Sequence, residues 1–137
     1  MTKSPFLESI RTTLRVNRYS LHTEKSYLYW IKKFICFHSK RHPKDMAEPE
    51  VELFLTHLAL IEKVSPLTQN QALCALIFMY RKVLDRELNN MQFQFARVPQ
   101  RVPQVLSHNE ALTIINNLSG RSKMIASLMY GGGLRVS

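Results

Sequence analysis

Proline placement does most to limit what this chain can fold into. Pro5, Pro43, Pro49 and Pro66 divide the first half of the sequence into segments, and each long segment carries apolar residues at a helical period. A proline fits the first turn of a helix, where its missing N–H is not needed, but inside a helix it removes a bond and clashes with the preceding turn. Helices are therefore expected to open at Ser4-Pro5, Pro49 and Ser65-Pro66, and another must stop before Pro43.

Between these marks the spacing predicts four amphipathic helices. The first covers residues 5–16, with Phe6, Leu7, Ile10, Leu14 and Val16 inward; the second covers 21–39, with Tyr27, Trp30, Ile31, Phe34, Ile35 and His38 on one side. The third, 49–62, buries Val51, Phe54, Leu55, Leu58 and Ile61, and the fourth runs to Arg86 with Leu73, Leu76, Ile77, Tyr80, Val83 and Leu84 inward. Four such helices with short connections make a bundle. The 45% hydrophobic content is enough for a packed core and is that of a globular chain.

After Glu87 the helical period lapses through a polar stretch containing Pro99 and Pro103, which reads as a connector over 88–104. Ser107-His108-Asn109-Glu110 is a capping box that opens a fifth helix bearing Leu112, Ile115 and Leu118. A sixth, 121–130, carries Ile125, Leu128, Met129 and Tyr130 to Gly131-Gly132-Gly133, where the backbone is expected to turn tightly and bring Arg135 to a buried, phosphate-sized site. The expected organisation is a domain over 1–87, a linker over 88–104 and the opening of a second domain over 105–137.

Charge narrows the function. The chain has 19 Lys and Arg against 10 Asp and Glu, a net charge of +9 that favours a polyanionic partner. Arg11 to Lys44 holds nine basic residues and the single acid Glu24, a net +8 over 34 residues. Lys25, Tyr29, Lys32 and Cys36 follow helical spacing along one face of the second helix, with Lys33 beside them. Such a face could lie along a DNA groove or be an ordinary solvated one. Thr68, Gln69, Asn70 and Gln71 open the fourth helix with side chains that can bond phosphates or base edges, or simply satisfy a helix start.

Other chemistries have little support. Cys36 and Cys74 stand 38 residues apart without metal spacing, which points to a reducing cytoplasm. His38 and His42 flank Lys40 and Arg41, which would repel a cation, so packing or capping is the expected role and no metal or other cofactor is implied. No HExxH, P-loop, dinucleotide-binding or G-x-S-x-G pattern occurs. The longest apolar run, Ala72 to Tyr80, falls far short of the roughly 20 residues that cross a bilayer, and no membrane partner is expected.

Four segments resemble the tyrosine recombinase (phage integrase) family, and within it the integron integrases. Tyr19-Ser20-Leu21-His22-Thr23-Glu24-Lys25-Ser26-Tyr27 looks like the family's S-x-x-T-x-x-x-Y opening of a DNA-binding helix. Trp30-Ile31-Lys32-Lys33-Phe34-Ile35 with Phe37-His38 and Arg41-His42-Pro43 looks like the integron-type extension. Val102 to Glu110 resembles the entry to the catalytic domain, and Leu128 to Ser137 its first conserved box. The resemblance implies an all-α protein, a four-helix SAM-like core-binding domain followed by a linker and the first two helices of an incomplete catalytic domain.

Its implied partner is double-stranded DNA at a recombination site, with other recombinase subunits as further partners. The implied DNA-contacting residues are Arg18, Ser20, His22, Thr23, Lys25, Lys32, Lys33, Lys40, Arg41, Thr68, Gln69, Asn70 and Arg81. Arg135 matches the first catalytic arginine, which stabilises charge on the scissile phosphate. The family's β-hairpin lysine, His-x-x-Arg pair, second His/Trp and nucleophilic tyrosine are not matched in these residues, nor is the integron-specific insertion. The chain is therefore expected to be an N-terminal fragment without strand-cleaving activity of its own. Two other readings remain: a helical protein-interaction module whose basic face serves only solubility, and an enzyme completed by a separately encoded remainder.

Overall fold

The computed structural model describes residues 4–91 and 95–135. Among them are six α-helices and no strand: α1 (Pro5–Val16), α2 (Leu21–Phe37), α3 (Glu48–Leu60), α4 (Pro66–Phe78), α5 (His108–Asn116) and α6 (Gly120–Gly132). The chain divides into two compact units, Met1–Pro99 and Gln100–Ser137.

In the first unit the helices begin where local chemistry dictates. Ser20 and Ser65 each accept a hydrogen bond from the backbone N–H three residues on, Thr23 and Thr68, and so supply one of the acceptors a helix start lacks. Pro5 and Pro66 occupy the first turns of α1 and α4. α2 ends at Phe37, earlier than its apolar pattern suggests, because Ser39 and Lys40 both take left-handed backbone angles. A short 3-10 turn, Pro43–Asp45, follows, capped by His42 Nδ1 accepting from the Lys44 N–H.

The core of this unit is one cluster built on Ile10, Leu14, Ile31, Phe34, Phe54, Leu58, Leu76 and Tyr80, all fully buried. Phe34 and Phe54 meet edge to face at 5.5 Å, which joins α2 to α3. Buried Gln69 donates from Nε2 to the Leu55 carbonyl at 3.2 Å, and buried Tyr80 donates its hydroxyl to the Pro43 carbonyl at 3.1 Å. Val16 and Ile61 were expected inside and are 75% and 70% exposed, because each lies where its helix gives out and the helical face no longer governs direction.

α4 does not continue as an α-helix to Arg86. From Met79 to Val83 it widens into a π turn, with the Leu84 N–H bonding the Met79 carbonyl five residues back. Leu88 and Met91 then pack on the core, and Asn70 clasps the backbone of Ala96 with both amide atoms, accepting from its N–H at 2.8 Å and donating to its carbonyl at 3.0 Å.

The second unit is a helix pair. Ser107 and Glu110 form the reciprocal capping box that the sequence predicts. His108 Nδ1 and the Tyr130 hydroxyl meet at 2.7 Å. Gly131 and Gly132 continue α6, and the tight turn expected of the triplet falls on Gly133 alone, whose φ of 62° caps the helix. Ala111 is the only buried side chain among this unit's described residues; Leu112, Ile125 and Leu128 are exposed. No helix among the described residues is long and apolar enough to cross a membrane.

Candidate nucleic-acid interface

The basic segment resolves into two populations. Arg15 grips Glu24 through two hydrogen bonds, Nε to Oε2 at 3.0 Å and Nη2 to Oε1 at 3.1 Å, while Arg11 Nε lies 3.2 Å from the same carboxylate. Lys33 is tied to Glu62 and lies near the rings of Trp30 and Tyr29. Arg41 donates to the Asp45 carbonyl and stands 3.7 Å from Glu50. In contrast, Arg18, Lys25, Lys32, Lys40 and Lys44 are exposed and form no salt bridge among the described residues.

Helical geometry groups part of the second population. Lys25, Tyr29, Lys32 and Cys36 are all exposed on the outer face of α2, away from buried Trp30, Ile31 and Phe34. At the end of that face Lys32, Lys40, Arg41 and His42 line a groove of about 300 Å³ whose floor includes Phe6, Ile35 and Pro43. The groove lining contains no carboxylate. An acid-free row of cations over an apolar floor can hold phosphates against the chain while side-chain stems cover the floor.

The other expected contact residues are distributed differently. Arg18, at φ 58°, ends the loop after α1, and Ser20, His22 and Thr23 lie at the start of α2, where the Ser20 and Thr23 hydroxyls are 2.9 Å apart. Thr68 is bonded to its cap Ser65. Gln69 and Asn70 have internal partners and hold α3 and the chain near Ala96 against α4. Arg81 lines a second groove, with Lys82 beside it. Arg135 belongs to the second unit and is exposed; the residues that follow it, Val136 and Ser137, lie outside the described residues.

His38 and His42 serve packing and capping. His38 Nε2 lies 2.9 Å from the Glu50 carbonyl, with its ring against Phe34 and Phe37, and His42 packs on Phe6. No group of three or more metal-ligating side chains occurs among the described residues. Sequence spacing missed the neutralising acids, since Glu62 is 29 residues from Lys33 and no local rule pairs them. It also missed a ring cluster of Tyr19, Tyr27 and Phe78, whose members come from three separate segments.

Two carboxylates in this region make stability depend on pH. The Arg15 hydrogen bond holds Glu24 below its ordinary 4.5, and the Ala47 N–H, bonded at 2.8 Å, does the same for Glu50. Groups lowered on folding stabilise the protein fully above their unfolded value, and that contribution is lost as pH falls through the folded one. The thermal midpoint should therefore hold steady down to about pH 5 and drop below about 4.5. Glu50→Gln should lessen the drop. A midpoint unchanged down to about pH 3 would show that neither carboxylate's partnership stabilises the fold.

The first unit, a small helical bundle with a cationic outer face, is of the class of compact all-helical domains. Residues 6–90 match the family described as phage integrase, N-terminal SAM-like domain, and the chain belongs to that family. An integrase/recombinase of Escherichia coli and one of Pseudomonas aeruginosa are each 42% identical over 132 residues, 96% of this chain and 39% of the relative. The chain thus spans about two fifths of the length of these relatives. In fold it is similar to the crystal structure of XerA recombinase, at a TM-score of 0.58 and 24% identity over 90% of this chain and 44% of that one.

Proposed function

We propose that this chain is the DNA-binding N-terminal portion of a site-specific tyrosine recombinase of the integron-integrase type, gripping double-stranded DNA beside the point of strand exchange. The observation that carries the reading is the exposed set Lys25, Lys32 and Lys40, three cations with no salt bridge among the described residues, the last two lining a groove without a carboxylate. The family match and the integrase/recombinase relatives support the role in recombination. The resemblance of Arg41-His42-Pro43 to the integron-type extension supports the integron type.

In this reading residues 1–87 bind DNA, 88–104 connect, and 105–137 open a catalytic domain in which Arg135 contacts the scissile phosphate. In this reading these residues bind DNA without cutting it, which accords with a match to the N-terminal SAM-like domain. The contact set loses Gln69 and Asn70, whose amides are bonded inside the fold, and Lys33, whose ammonium is tied to Glu62. It keeps Arg18, His22, Lys25, Lys32 and Lys40, the helix-start hydroxyls of Ser20, Thr23 and Thr68, and Arg41 and Arg81, whose ion pairs are long, at 3.7 and 3.9 Å.

A second reading, association with another recombinase subunit, draws on Leu53, Leu60 and Ile61, which lie exposed on and just after α3. Salt separates the two. Phosphate contacts release counterions, so affinity for duplex DNA should fall steeply on a plot of log affinity against log salt, with a slope of about −0.9 for each contact. Salt-independent association, or none with DNA, would favour the subunit-association reading.

A further inference from the structure

Where the outer face of α2 ends, the core of the first unit reaches solvent. Phe6, Leu7 and Ile35 pack on the buried cluster yet are only partly covered, and with Pro43 they floor the groove of about 300 Å³ beside Lys32, Lys40 and Arg41. Half-wet apolar side chains forgo part of the stabilisation that full burial supplies, and a space of this volume lies at the small end of pockets that enclose a ligand. Phosphates of a duplex satisfy the cations at the rim but bring no apolar group to the floor.

The rim is suited to one negative head. Lys32 and Lys40 form no salt bridge among the described residues, and no carboxylate is in the lining. Ser39 and Lys40 hold left-handed angles, φ 57° and 61°, and the Lys40 N–H bonds the carbonyl of the floor residue Ile35 at 2.8 Å. That bond ties the Lys40-Arg41-His42 stretch to the floor. Arg41 donates to the Asp45 carbonyl, and its ion pair with Glu50 is long, at 3.7 Å. His42 adds a fixed donor: its ring meets Phe6 at 4.6 Å, and its Nδ1 accepts from the Lys44 N–H, which leaves the proton of the neutral ring on Nε2.

We propose that this groove binds a small amphipathic carboxylate, a medium-chain aliphatic acid. Its head is held by Lys32, Lys40 and the His42 Nε2–H, and its apolar body lies on Phe6, Leu7 and Ile35. The binding site stands on the groove alone; one consequence rests on the DNA-binding reading. Lys32 and Lys40 belong to both contact sets, so the carboxylate and duplex DNA exclude each other.

The test uses the full chain, isotopically labelled for amide NMR and titrated with decanoate below its micelle-forming concentration. Decanol, which lacks the charge, and acetate, which lacks the body, are the controls. Decanoate should shift the amides of Phe6, Leu7, Ile35, Cys36 and His42 saturably and bind at least about tenfold more tightly than either control. Cys36 is exposed in the lining, so Cys36→Phe fills the groove without changing its charge and should abolish those shifts, whereas Cys36→Ser should keep them. Lys40→Gln should weaken decanoate about tenfold with thermal stability unmoved. In a duplex-binding assay at fixed salt, decanoate should raise the apparent Kd of the unaltered chain and not that of the Cys36→Phe protein. Equal binding of decanoate and decanol, shifts centred on other residues, or saturable binding that survives Cys36→Phe overturns the proposal while DNA binding stands. Decanoate bound at the groove of a chain that shows no salt-dependent duplex binding supports the site and overturns the DNA-binding reading.

Discussion

Replacing Lys25 and Lys32 together by Gln is expected to weaken duplex binding about 10- to 100-fold at about 0.1 M salt and to flatten the log–log salt slope by about two. Both positions are exposed and lack salt bridges, so thermal stability should hardly move. Lys33→Gln supplies the internal contrast. It lies one position from Lys32, yet its ammonium is committed to Glu62, so its removal should leave the salt slope nearly unchanged. Fluorescence anisotropy across a salt series reads both outcomes. Equal flattening by Lys33→Gln would mean that the Lys33–Glu62 pair opens when DNA arrives and that the interface extends to the end of α3.

Tyr80→Ala should destabilise the first unit by about 3–5 kcal/mol, a large share of the roughly 5–15 kcal/mol that a domain possesses. Tyr80 is fully buried at the start of the π turn, and its hydroxyl anchors the 3-10 turn through the Pro43 carbonyl. Truncation leaves a cavity and a buried acceptor without its donor. Tyr80→Phe keeps the ring and loses only the hydrogen bond, which should cost about 1–2 kcal/mol. Urea unfolding followed by circular dichroism separates the two, since both variants should keep the same m-value while the midpoint falls much further for Ala. Near-equal midpoints would show that the hydroxyl, not the ring volume, carries the effect.

Features encoded within four residues were legible in the sequence. Ser65 and Ser107 cap their helices because the cap bond closes over three residues, and the core stripe of α2 follows directly from its period. Features that depend on two distant segments meeting were not. The neutralisation of Arg15 by Glu24 requires α1 to lie along α2, and the roles of Gln69 and Asn70 depend on carbonyls 14 and 26 residues away. A count of charges consequently overstated the cationic face, and polarity at the start of α4 gave no sign that its amides point inward or clasp the chain. The early stop of α2 was obscured for another reason: Ser39 and Lys40 adopt a backbone region that neither residue type favours, so composition carried no warning.

The π turn at Met79–Val83 bears on how this helix can change length. A turn closed by five-residue bonds holds one residue more than an α-helical turn, so the helix carries one residue of slack at a defined place. Deleting a residue from the α4 segment before it would rotate everything downstream by about 100° and swing Tyr80 away from Pro43. Deleting Lys82 instead would let the wide turn tighten to an ordinary one, leaving the residues on both sides in phase. Single-residue length differences among homologous helices should therefore collect at 79–83, beside the rim formed by Arg81 and Lys82, where the groove can vary without disturbing the bundle that supports it.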